Sequence, residues 1–69
     1  MTRDEFVALK KGDRVRVTSL RCPTATGKIL FVLAICESNI GSFYGYFRGL
    51  YEADHLDFVY FFENEVERL

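Results

Sequence analysis

The chain has no tryptophan, one proline, one histidine, one methionine and two cysteines in 69 residues. Each scarcity removes a class of explanation. Cys22, Cys36 and His55 are the only soft metal ligands, and no C-x-x-C or H-x-x-x-H spacing joins them. Structural zinc takes four such ligands, usually at close paired spacing. Nucleophilic catalysis needs a nucleophile, a base within reach and an oxyanion hole. The single imidazole, His55, sits between Asp54 and Asp57. Neighbouring carboxylates raise an imidazole's pKa, but an acidic surface loop does so without any substrate. Gly41, Gly45 and Gly49 form G-x₃-G-x₃-G, which matches neither the dinucleotide nor the Walker spacing. No catalytic residue, metal site or cofactor is therefore expected.

Long apolar runs are also missing. The longest, "ILFVLAIC", has eight residues, whereas a helix crossing a bilayer needs about 20. Met1 leads straight into "TRDEF" with no signal-peptide pattern. A cytoplasmic setting, with both thiols free, is the expectation.

What is present is apolar and aromatic. Apolar residues make up 49% of the chain and aromatics 16%, enough to offset the ordering cost of one small domain, at about 150–250 Å² of surface per buried ring. Residues 1–69 are read as that single domain. The net charge of −1 hides an asymmetry. Residues 1–28 hold seven Lys/Arg against three acids, and residues 29–69 hold two against seven. Such a dipolar chain has no overall pull toward phosphate, although a local basic face is compatible with it.

Hydrophobic periodicity predicts a short helix within residues 1–12 and strands through 13–69. Thr2 and Glu5 have capping-box spacing. Phe6, Leu9 and Val7 supply an apolar face, Lys10 and Lys11 suit the C-terminal end, and Gly12 suits C′. "DRVRVTSL" alternates, with Val15 and Val17 on one side and Arg14, Arg16 and Thr18 on the other. "RCPTATG" reads as a loop. "KILFVLAIC" is apolar on both phases. In "SFYGYFR", Phe43, Gly45 and Phe47 share one phase, and Tyr44, Tyr46 and Arg48 the other. A glycine inside a strand signals a bulge or a bend. "LDFVYFF" places Leu56, Phe58, Tyr60 and Phe62 opposite Asp57, Val59 and Phe61. "ENE" is a tight turn before the last strand, "VERL". Glu63, Glu65 and Glu67 are expected along one solvated edge, where charge discourages aggregation. The fold class expected is all-β with one short N-terminal helix: a five-stranded antiparallel SH3-like barrel, because closure removes raw sheet edges.

Two stretches carry a family resemblance. "LKKGDRVRV" resembles the opening of small SH3-like barrels, including KOW-type domains, and "VYFFENEVERL" resembles their close: an aromatic strand, a one-turn connection and a short valine-containing strand. Short bacterial and phage-encoded proteins often begin and end this way. The resemblance implies binding of peptides, proteins, RNA or DNA through loops and an aromatic surface. It departs from the peptide-binding signalling domains, lacking their "ALYDY" opening and their tryptophan.

A barrel of this size has room for about ten inward side chains. Val15, Val17, Ile29, Phe31, Leu33, Phe43, Phe47, Val59, Phe61 and Val66, with Phe6 and Leu9 as a lid, would fill it. Tyr44, Tyr46, Tyr51, Phe58, Tyr60 and Phe62 are then in surplus. Exposed rings mark binding patches, and Tyr beside Arg is an interface hot-spot mixture. The first expectation is a protein-binding surface of Tyr44, Tyr46, Arg48 and Tyr51, rimmed by Glu52 and Asp54. Its partner would be another protein, such as a bacterial host complex inhibited by a phage-encoded factor, or a second copy in a homodimer. The alternative is an RNA- or DNA-binding module using Lys10, Lys11, Arg14 and Arg16, with tyrosines stacking on bases; the acidic second half counts against it.

Overall fold

Thr2 starts the N-terminal helix in the way its spacing predicts. In the computed structural model, which describes residues 1–50 and 58–69, α1 spans Arg3–Val7. The Glu5 backbone N–H donates to Thr2 Oγ1 at 3.2 Å, and the Thr2 backbone N–H donates to Glu5 Oε1 at 3.0 Å. This reciprocal box satisfies two of the amides that a helix start leaves without partners. The helix buries Phe6 completely, while Val7 is exposed. It ends earlier than expected, at Ala8. Lys10, Lys11 and Gly12 therefore lie beyond it, in a turn closed by Asp13 N–H donating to Lys10 O at 2.9 Å. Gly12 is not a helix C′ residue. Its φ of +95° belongs to this turn, a conformation that glycine adopts at little steric cost.

Five antiparallel strands follow: β1 (Arg14–Val17), β2 (Ile29–Glu37), β3 (Phe43–Gly49), β4 (Val59–Phe62) and β5 (Val66–Arg68). They form one sheet in the order β4-β3-β2-β1-β5. β4 and β5 are its two margins, and among the described residues no ladder joins them. Among the described residues the ladder thus establishes a five-stranded antiparallel sheet with one short helix. Of the expected fourth strand from Leu56, the part from Val59 onward is observed. Leu56 and Asp57 lie outside the described residues.

The core is one cluster on the inner face. Phe6, Leu9, Val15, Val17, Ala25, Leu30, Val32, Phe47, Phe61 and Val66 are buried, with Met1, Cys22, Ile35, Phe43 and Val59 packed against them. This corrects the expected phase of β2. Leu30 and Val32 face inward, and Ile29, Phe31 and Leu33 do not. Both phases of "ILFVL" are apolar, so the pattern could not choose. The pairing of Leu30 with Val15 and of Val32 with Phe47 did, because directly opposite residues share a face.

Beyond Val32 the register slips by one residue, between Val32 and Ala34. This bulge at Leu33 flips the phase, so that Ile35 becomes the residue packed on the core. The bulge lies on β2 and not at Gly45. Gly45 has a different task. A Cβ there would come within 2.6 Å of Cζ of Phe47 and 3.0 Å of Cδ1 of Ile35, so its missing side chain is the space in which the Phe47 ring lies.

The charge asymmetry of the sequence is partly offset in the fold. Arg3 pairs with Glu63 at 3.0 Å, Arg21 with Glu65 at 2.8 Å and Arg16 with Glu67 at 3.6 Å. The three glutamates do not form one solvated edge. Each meets a cation from the first half: β5 pairs with β1 and brings Glu67 to Arg16, the loop after β1 brings Arg21 to Glu65, and helix α1 brings Arg3 to Glu63.

Candidate protein-binding face

Alternation along β3 and β4 sends one set of rings inward and the other outward. Phe47 and Phe61 are buried, with centroids 6.2 Å apart. Tyr44, Tyr46, Tyr60 and Phe62 lie on the outer face. The ladder sets Tyr44 opposite Phe62 and Tyr46 opposite Tyr60. These four rings meet edge to face: Tyr44–Tyr46 at 5.6 Å and 79°, Tyr44–Phe62 at 6.4 Å and 64°, and Tyr60–Phe62 at 6.1 Å and 87°. Edge-to-face contact aligns the positive rim of one ring with the negative face of the next. The cluster is therefore ordered, yet Tyr46, Tyr60 and Phe62 remain 38%, 48% and 39% exposed. With Ser38 the four rings line an open hollow of about 210 Å³.

The Tyr44 phenol is held above its ordinary pKa, first by the neighbouring Tyr46, then by partial burial, then by Cys36. It is an uncharged hydrogen-bonding group at neutral pH. Cys36 stands opposite Tyr44 on β2, and both it and Cys22 are free, half-buried thiols.

Beside the rings the same face becomes basic. Arg48 and Arg14 each pair with Phe31, from opposite sides, and Arg16 follows on β1. Arg48 also lines a second hollow with Lys11, Leu33 and Phe58. Phe58 is 77% exposed and has a positive φ of 55°, a conformation that disfavours a side chain with a Cβ by about 1–2 kcal/mol.

Of the residues expected to bind protein, the fold brings Tyr44, Tyr46 and Arg48 onto one face. Tyr51, Glu52 and Asp54 lie outside the described residues, as does His55. The surface also includes Tyr60 and Phe62, which the sequence marked only as surplus rings. Their alternation was readable, but their pairing with Tyr46 and Tyr44 was not, because it depends on which strand neighbours β3. Of the alternative basic set, Arg14 and Arg16 point outward from β1, and Lys10 and Lys11 precede them in the turn. Arg16 is engaged by Glu67. Among the described residues no three His, Cys, Asp or Glu side chains gather as a metal site would require, and no helix is long and apolar enough to cross a membrane.

Fold and surface together define a small antiparallel β domain with a wet aromatic face. Comparison with known proteins finds no matching family model, no similar curated protein and no similar solved structure.

Proposed function

We propose that the chain is a non-catalytic protein-binding module whose contact surface is the outer ring cluster of Tyr44, Tyr46, Tyr60 and Phe62, with Arg48 at its margin. One observation carries this reading: four rings in contact line the outer side of a sheet whose inner face is already filled, and three of them, Tyr46, Tyr60 and Phe62, stay exposed. Desolvating them against a partner releases water from apolar surface, and pre-ordered rings lose little side-chain entropy on binding.

The SH3-like barrel belongs to the same proposal. Its support is the bulge at Leu33, which bends the strand shared by both halves of the sheet, together with Arg21, which reaches from the loop after β1 to the Tyr60 carbonyl on β4 and to Glu65 just before β5. An accessory or inhibitory role of the phage-encoded kind, exerted on a cytoplasmic host complex, is the extension that the family resemblance supports. Nucleic-acid binding is the weaker reading, since Arg16 is neutralised by Glu67 and Arg3 and Arg21 by other acids.

The test is affinity capture with nuclease treatment, comparing the native chain with a Tyr46→Ala/Tyr60→Ala double variant. A protein partner should survive nuclease and moderate salt and bind the variant at least tenfold more weakly, about 1.4 kcal/mol. Capture that nuclease abolishes, or that the double variant leaves intact, would overturn the proposal.

A further inference from the structure

The segment Phe58–Phe62, "FVYFF", carries no charge and no proline and consists of aromatic and β-branched residues. That composition favours pairing with strands of other chains. It also forms a margin of the sheet, where unpaired backbone is a template for such pairing. Yet three backbone groups on the outward side of β4 are occupied. The Tyr60 carbonyl accepts from Arg21 Nη2 at 2.8 Å. The Phe62 N–H donates to Glu65 Oε1 at 2.9 Å, and the Phe62 carbonyl accepts from the Glu65 N–H at 2.9 Å.

The two side chains that do this are locked to each other. Arg21 donates from Nε to Glu65 Oε2 at 2.8 Å and from Nη2 to Oε1 at 3.2 Å. The Ser19 hydroxyl donates to Oε2 at 2.7 Å. The guanidinium lies 5.0 Å from the Tyr60 ring centroid and 5.3 Å from that of Phe61. A planar fork that is bidentate to a carboxylate and stacked on rings is held far more firmly than a solvated surface pair. The loop carrying Arg21 and Cys22 runs along the same margin, leaving a hollow of about 250 Å³ lined by Arg21, Cys22, Phe58, Val59, Tyr60 and Phe61.

We infer that the Arg21–Glu65 clamp is a latch over a latent strand-pairing edge, and that the occupant of the unlatched edge is β4 of a second copy of this chain. A second copy fits for three reasons. Antiparallel pairing about a two-fold axis is self-complementary, so one open edge supplies what the other lacks. The freed Tyr60 carbonyl and Phe62 N–H are ladder groups, which an identical strand satisfies. Val59, Tyr60, Phe61 and Phe62 are uncharged, so no like charges face each other across the new pair. This surface is the edge of the strand, not the ring face; the inference uses the absence of a β4–β5 ladder among the described residues and stands independently of the ring-face reading.

Sedimentation velocity across a wide concentration range tests it, with Arg21→Ala and Glu65→Gln variants checked for native circular dichroism. The native chain should sediment as a monomer. Both variants should shift toward the dimer value as concentration rises. Adding Tyr60→Lys to Arg21→Ala should restore the monomer by setting like charges across the paired edge, whereas adding Tyr46→Ala should leave the dimer intact. Folded variants that remain monomeric throughout would overturn the inference. So would variants that unfold, since the clamp would then hold the fold itself and not guard an edge.

Discussion

The two faces of the β3–β4 hairpin are built from the same kind of residue and meet opposite fates. On the inner face, Phe47 and Phe61 are sealed in the core with Val32 and Val15. On the outer face, Tyr44, Tyr46, Tyr60 and Phe62 pack on one another, with Arg21 against Tyr60, and stay outside the core. Neighbours in sequence, such as Phe61 at 1% exposure and Phe62 at 39%, differ because alternate strand residues point to opposite sides. Aromatic content therefore says little about what a ring does. Its phase relative to the filled face decides whether it stabilises the fold or stays available to a partner.

Substitutions at that hairpin are the most direct way to break the comparison. Phe61→Ala should cost about 3–5 kcal/mol, the range for emptying a buried phenylalanine site, and should leave so small a domain largely unfolded. Phe62→Ala, one residue away, should lower stability by about 1–2 kcal/mol, in line with the loss of two half-exposed edge-to-face contacts. Urea titrations of the pair would sink the two-face picture if their midpoints moved equally.

Gly45→Ala comes next. The added methyl would meet the Phe47 ring at 2.6 Å, so the ring must shift inside a filled core. Overpacking of that kind costs about 1–3 kcal/mol. Thermal unfolding measures it, and an unchanged midpoint would mean that the ring can rotate away freely.

Acid should produce a smaller and graded loss. Burial by itself would raise the Glu65 pKa, but hydrogen bonds from Arg21, the Phe62 N–H and Ser19 outweigh it, and the net value is below the ordinary 4.5. Glu63 is lowered by its hydrogen bonds and charge contact with Arg3. The unfolded chain therefore binds more protons than the folded one in this range. Stability from these groups is complete above pH 4.5 and falls as pH drops through that value toward the lowered folded ones. Glu65→Gln should flatten this limb in chemical denaturation at stepped pH, and an unaltered acid limb would show that Glu65 does not contribute to it.

A comparably small loss of stability is expected from Tyr46→Ala with Tyr60→Ala, about 1–2 kcal/mol in a denaturant titration, while partner capture weakens at least tenfold. A double variant that unfolds would place these rings with the core and erase the distinction between the faces.

Much of this architecture is legible in the residues. The capping box of Thr2 and Glu5, the alternation of Val15 and Val17, the two phases of "SFYGYFR" and the closing turn before "VERL" all read correctly, because each is a local constraint of backbone period or turn chemistry. The helix length was not, since Lys10 to Asp13 can continue a helix or form a turn, and pairing with Val32 favours the turn. Half of the ring cluster was not legible as a site either. Tyr44 and Tyr46 announced themselves by spacing, whereas Tyr60 and Phe62 joined them only through the neighbouring strand.

The sequence by itself determined where strands form and which residues of β1, β3 and β4 share a side, because a two-residue period is written into each segment separately. It also determined that rings outnumber inward positions. Only the tertiary structure decided the inward phase of β2, because "ILFVL" is apolar on both sides and the choice fell to its partners Val15 and Phe47. The same holds for the acids of the last strands: long-range return of the chain, not local pattern, brought Glu63, Glu65 and Glu67 to Arg3, Arg21 and Arg16.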